Sequence, residues 1–244
     1  INGQKQYNTN GTGWDRKGAH LYTVVCRTDK SGGAGESLAV IIVPGHSPGI
    51  EVVGVYDKLG HRGVVTPAVN FENVRVPASN IIGRSGDGKS IVSGAFSWTA
   101  ALIGGACVGV MKAAFRHAME FAQNQKKLGA RPVIEHQSIG YRLADMKMGI
   151  EASRYLTWKG CHDFQQSDGR NQEVSIMAKV YCSEMAVKVV QDAIRVMGVD
   201  AYIKDSPMGL LMRDAQCFPL YDGSNDGIRR RQLHALLQEP GSAY

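Results

Sequence analysis

Cysteine is sparse in this 244-residue sequence and never clustered. Cys26, Cys107, Cys161, Cys182 and Cys217 are five, an odd number, and no CxxC pair occurs. This speaks against a disulfide framework and points to small core fillers in a cytoplasmic or other intracellular, reducing compartment. The seven histidines stand at no ligand spacing and form no HExxH, so no metal site is expected. Also missing are the GxGxxG dinucleotide fingerprint, the Walker loop and the GxSxG nucleophile turn. The net charge of +6 is mild and carried without a long Lys/Arg run, and aromatics make up only 7%. Nucleic acid is therefore not an expected partner, whereas an anionic cofactor or a phosphate-bearing thioester is compatible. No signal peptide opens the chain, and no charge-free apolar run of about 18 residues is read as a membrane span, so no membrane partner is expected. The abrupt start, Ile1-Asn2-Gly3-Gln4, reads as a strand entering a turn. It suggests the later part of a longer polypeptide, or a subunit completed by another chain.

What is there divides by period. A hydrophobic share of 43% suffices for one large domain or two modest ones. Over residues 1–85, short β-rich runs at 21–27, 38–43, 50–56 and 68–77 alternate with Gly, Pro and Asn, which predicts a small β-barrel or sandwich. Gly32-Gly33-Ala34-Gly35 reads as a loop. Over 86–244 the period becomes helical, with helices expected at about 87–125, 133–168, 172–197, 208–217 and 226–238. Ile139, Leu143, Met146 and Ile150 form an amphipathic stripe, Gly104, Gly105, Ala106 and Gly109 permit close helix approach, and Gly198 is a C-cap. The fold class is α+β: a small β-barrel or sandwich domain followed by an antiparallel four-helix bundle.

The richest chemistry lies in Phe218-Pro219-Leu220-Tyr221-Asp222-Gly223-Ser224-Asn225-Asp226-Gly227-Ile228-Arg229-Arg230-Arg231. Helix starts favour acids, so three cations there need a bound anion, a nearby carboxylate or open solvent. Asp222 is a candidate acid or base, or a plain turn former. Arg229, seven residues on, can return beside it if the turn folds over. Arg230 and Arg231 lie on neighbouring helix faces, so at least one is surface charge. Tyr7-Asn8-Thr9-Asn10-Gly11 offers hydroxyl and amide groups to the edge of a planar ring, or builds a turn. Lys126, Lys127 and Arg131 form a solvated corner or a phosphate clamp.

In order, Ile1-Asn2-Gly3-Gln4-Lys5, Thr9-Asn10-Gly11, Asn70-Phe71-Glu72-Asn73-Val74-Arg75-Val76-Pro77, Glu135-His136-Gln137, Leu211-Met212-Arg213-Asp214-Ala215 and Tyr221-Asp222-Gly223 resemble the acyl-CoA dehydrogenase superfamily, from its middle β domain to its C-terminal helical domain. The resemblance implies FAD between the two domains, a homo-oligomer (dimer or tetramer) sharing flavin sites, and a small-molecule substrate. It also implies an N-terminal helical domain outside this sequence. It assigns Tyr7, Asn8, Thr9, Lys126, Gln137, Met197, Gly198, Ser224 and Asn225 to the cofactor. Where most of the family has a glutamate base this chain has Asp222, and Phe96-Ser97-Trp98-Thr99-Ala100-Ala101-Leu102 and the triple arginine are similar to the fungal nitroalkane oxidases of the superfamily. That match implies Asp222 as base, Arg229 as its electrostatic partner and Thr99 as the nearby hydroxyl. The activity implied is abstraction of an activated C–H proton, followed by flavin reduction and reoxidation by oxygen. An acyl thioester dehydrogenase of specialised metabolism and a non-catalytic structural subunit stand as alternatives.

Overall fold

The computed structural model describes residues 1–29, 31, 33, 36–127 and 129–239. Gly32, Ala34 and Gly35 of the expected glycine loop, and Leu128 beside Lys126 and Lys127, lie outside the described residues. The chain divides into two units, Ile1–Ala95 and Phe96–Tyr244.

In the first unit, strands β1 (Gly3–Lys5), β2 (Leu21–Arg27), β3 (Leu38–Pro44), β4 (Ile50–Val55), β5 (Pro67–Phe71) and β6 (Ile81–Ile82) form two antiparallel three-stranded sheets, ordered β1-β5-β4 and β2-β3-β6. Alternation turns Tyr22 and Val24 of β2 inward and Leu21 and Thr23 outward, and Val24 pairs with Ile41. Tyr22, Val24, Ala39, Ile41 and Val43 from one sheet share an apolar cluster with Val69 and Phe71 from the other. The Tyr22 and Phe71 rings meet edge-on at 5.7 Å. This is a sandwich of two open sheets, which corrects the barrel alternative. Closure needs an unbroken ladder around the ring, but β1 and β6 span only three and two residues, and β4 is irregular between Val52 and Gly54. The run expected at 68–77 stops at Phe71. Asn73 turns the chain at φ +52°, with its amide held 2.7 Å from Asn2 Oδ1.

Among the described residues five helices follow: α1 (Gly88–Asn124), α2 (Gln137–Gln166), α3 (Glu173–Met197), α4 (Met208–Ala215) and α5 (Arg230–Leu237). Three are long, and the fourth position of the bundle is filled by short pieces. Arg142 meets Asp192 and Gly149 meets Met185, so α2 and α3 run antiparallel. Gly104 lies against Thr157 and Gly160 against Ala101, so α1 and α2 do too. A Cβ at Gly104 would stand 2.5 Å from Thr157 Oγ1, which is why a glycine sits there. Cys107, Met111 and Ala118 of α1 join Met146 and Ile150 of α2, Val189 and Ala193 of α3, and Met208 and Phe218 in one buried core. The expected lack of a charge-free run does not hold for α1. Residues 90–111 carry no charge, and among the described residues α1 is the one helix long and apolar enough to cross a membrane. Its buried residues are the inner lining of the bundle.

Gly198 follows α3 at φ +64°, the backbone region an L side chain resists, and its N–H closes on Ile194 O. Near that end Asp192 is buried and paired with Arg142 at 2.6 Å, Lys188 at 2.8 Å and Arg195 at 3.6 Å. Burial alone would raise its carboxyl, but hydrogen bonds from Lys188 and Arg142 outweigh that and hold it below the usual carboxylate range. The stability Asp192 contributes is therefore full above the unfolded-state carboxyl pKa and is lost as pH falls through the lower folded-state value. Asp192→Asn is expected to cost about 1–3 kcal/mol at neutral pH. The gap to wild type should close in strongly acidic solution, as read by denaturant melts across pH.

Candidate active site

The second unit brings Thr99, Asp222 and Arg229 together. Phe218 is buried in the bundle core and anchors the segment after α4; Asn225 N–H then bonds Pro219 O at 2.9 Å, closing the turn. Asp222 crests it at φ +53°, which aspartate tolerates better than most residues, and Gly223 follows at φ +81°. A Cβ on Gly223 would stand 3.0 Å from Arg229 Nε, so both the backbone angle and the guanidinium packed over it require glycine. Asn225–Arg229 then winds as a π turn capped by Ser224 Oγ, which accepts the Gly227 N–H.

The π turn drives Arg229 inward, where it is fully buried. Its Nη2 donates to Asp222 Oδ2 at 3.1 Å and to Phe96 O at 3.1 Å, its Nε to Asp222 O at 2.9 Å, and its Nη1 to Gln232 Oε1 at 3.1 Å. Burial pulls the guanidinium below its ordinary value, with Asp222 opposing, and an arginine stays charged through that. The Thr99 hydroxyl, on α1, lies 2.9 Å from Asp222 Oδ1 and 3.1 Å from Oδ2. Beside them Tyr221 is kept a neutral phenol, its proton held chiefly by burial. A carboxylate fixed on one side by a guanidinium and on the other by a hydroxyl, with its side chain 11% exposed, is oriented to accept a proton.

The other two arginines have nearby acceptors of their own. Arg230 pairs with Asp226 and Glu184, and Arg231 bonds Gly227 O. Neither reaches Asp222.

The residues assigned to the cofactor fall in several places. In the first unit, Asn8 and Thr9 line a cavity of about 410 Å³ with Lys5, Gly11, Tyr22 and Thr23. Their side chains make no hydrogen bond among the described residues, while Tyr7 stacks on Tyr56 at 4.7 Å. In the second unit, Gln137 bonds the Tyr141 hydroxyl, and the preceding His136 leaves Nε2 buried without a partner. Lys127 pairs with Asp200 at 3.0 Å, tying the Lys126 corner to the turn that starts at Met197 and Gly198. Asn225 faces the interior of the second unit. Its side chain is 2% exposed and its amide is engaged by Lys179, Ser183 and Glu184, so it clamps the turn from inside.

Sequence reasoning passed over Lys179. It sits on the inward stripe of α3 among Ala178, Cys182 and Ala186, where a cation is out of place. That misfit was its only signal.

The arrangement is that of a known family. Residues 86–237 match the acyl-CoA dehydrogenase C-terminal domain, and the chain belongs to the acyl-CoA dehydrogenase superfamily. It is 38% identical, over 98% of its length and 59% of the relative's, to the nitroalkane oxidase of Podospora anserina. The crystal structure of that enzyme superposes with a TM-score of 0.93 over 100% of this chain and 60% of that one, at 36% identity. Butyryl-CoA dehydrogenase from Megasphaera elsdenii superposes at 0.90 over 98% of this chain and 60% of that one, at 30% identity. The chain thus spans about 60% of the length of the relatives it matches.

Proposed function

We propose that this chain carries the proton-abstracting site of an FAD-dependent nitroalkane oxidase. The observation that carries the reading is the Asp222 carboxylate held between the Thr99 hydroxyl and the Arg229 guanidinium, in a chain whose relatives include nitroalkane oxidases. FAD fits the residues present: the unpartnered Asn8 and Thr9 groups suit the edge of a planar heterocycle, and the exposed Lys126 suits a phosphate. Tyr7, Asn8, Thr9, Lys126, Gln137, Met197, Gly198 and Ser224 would hold it, with Asn225 fixing the turn, so that 1–85 serves as the flavin-contacting β domain and 86–244 as the bundle domain. When bound, FAD accepts the two electrons left on the deprotonated carbon and returns them to oxygen as peroxide.

The chain's own part is the proton. A C–H bond beside a nitro group is weakened because the electron pair left behind delocalises onto the nitro oxygens. Oδ2 of Asp222 already accepts from Arg229, so Oδ1, touched only by the rotatable Thr99 hydroxyl, receives the proton while the pair stays on carbon. The buried guanidinium and the Thr99 hydroxyl hold the carboxylate in place for that transfer. Overall, a primary nitroalkane, oxygen and water give an aldehyde, nitrous acid and hydrogen peroxide, which balances.

A homo-oligomer is part of the proposal. Tyr141, Met148 and Tyr155 repeat every seven residues on the exposed side of α2, an apolar row that supports packing against a second copy.

The FAD-loaded protein mixed with nitroethane in air is expected to release nitrite and consume oxygen one for one. Bleaching of the flavin by acyl-CoA thioesters under nitrogen, with none by nitroethane, would replace this reading with a thioester dehydrogenase.

A further inference from the structure

Lys179 lies wholly inside the second unit, with no exposed surface. Among the described residues it forms no ion pair within 4.0 Å, and a buried ammonium without a counter-ion is costly unless its protons are well used. Two of them are. Nζ donates to Gly223 O at 2.8 Å and to Asn225 Oδ1 at 2.8 Å. Both acceptors belong to the turn that begins at Asp222. The same Asn225 amide donates to Ser183 Oγ at 3.0 Å and Glu184 Oε1 at 3.1 Å, one helical turn further along α3. The turn that presents the base is thus tied to a rigid helix through Lys179, Ser183 and Glu184, and the ammonium alone reaches both Gly223 and Asn225.

We propose that Lys179 is a positioning residue for proton abstraction: it holds the Gly223 carbonyl and the Asn225 side chain so that Asp222 keeps its left-handed backbone and its alignment with Thr99 and Arg229. The inference rests on the reading of Asp222 as the base. The Gly223 carbonyl lies one Cα beyond the peptide plane that joins Asp222 to Gly223, so fixing it fixes the Gly223 backbone at φ +81°, and freeing it lets the neighbouring strained φ of +53° at Asp222 relax and swings the carboxylate away from its partners. The charge acts in the same place. Burial, then the Arg229 charge, lowers Lys179 to about 8, with Asp222, Cys107 and Glu184 opposing. These four are the ionisable groups that face it: Arg229 and Asp222 from the turn, Cys107 from α1 and Glu184 from α3.

The test compares two substrates. Nitroethane must lose its proton to the enzyme; ethyl nitronate, its conjugate base, has lost it already. In FAD-loaded Lys179→Met, turnover of nitroethane is expected to fall about tenfold to a hundredfold, while turnover of the nitronate stays within about twofold of wild type. Lys179→Gln carries the same comparison should the methionine variant not fold. Equal losses on both substrates would show a general structural role and overturn the inference alone. Unchanged nitroethane turnover would also overturn it. A wild-type protein inert toward both compounds would overturn the functional reading, and the inference with it.

Discussion

Asp222→Asn is expected to lower kcat/KM for nitroethane by about 10²–10⁴, the contribution of a positioned general base, with FAD still bound. The amide has nearly the shape of the carboxylate and can accept from Thr99 or Arg229 through its remaining oxygen. The turn should therefore keep its form, since Gly223, Asn225 and Pro219 O are held independently of the carboxylate. What the amide lacks is an oxygen able to take up a proton. Activity on the nitronate should survive, because that compound has already shed the proton in question. Unchanged nitroethane turnover would mean that another group removes it.

The second large effect is expected at Arg229. Arg229→Met removes a fully buried charge and takes its hydrogen bonds from four acceptors: Asp222 Oδ2, Asp222 O, Phe96 O and Gln232 Oε1. Breaking such a buried pair costs about 3–5 kcal/mol, so thermal or denaturant melting should show a clear loss. The fall in nitroethane turnover should approach that of the Asp222 variant, because a carboxylate robbed of its partner loses its orientation. Arg229→Lys separates the two causes. It restores the charge but not the planar fork that serves Asp222 and Phe96 together. Recovery of stability with little recovery of turnover would show that geometry, not charge, is the larger part. Full recovery of both would remove the orienting role.

The helices were readable because their signals are local: the stripe through Ile139, Leu143, Met146 and Ile150, the small residues near Gly104, and the glycine after Met197. The triad was readable by resemblance, although Thr99 stands 123 residues from Asp222 and nothing in its own neighbourhood reveals the contact. Three things were not readable. Whether the strands close into a barrel depends on pairing between distant segments, and a two-residue strand such as β6 has no pattern of its own. The side of the turn that the Asn225 side chain takes has no local pattern either; burial turned it inward. Lys179 was missed because its partners are 44 and 46 residues away, and an isolated lysine in a helix ordinarily reads as solvated.

The π turn has an evolutionary consequence. Within it the Arg229 N–H reaches back five residues, to Ser224 O, where ordinary winding reaches back four. Such a loop amounts to a one-residue insertion in a helix, and it shifts the angular phase of everything downstream. Loss of a single codon there would restore normal pitch and rotate the neighbouring guanidinium toward the interior. Because arginines follow at 230 and 231, a shift in that direction still leaves a cation at hand to face the acid, whereas a shift the other way would offer it only Ile228.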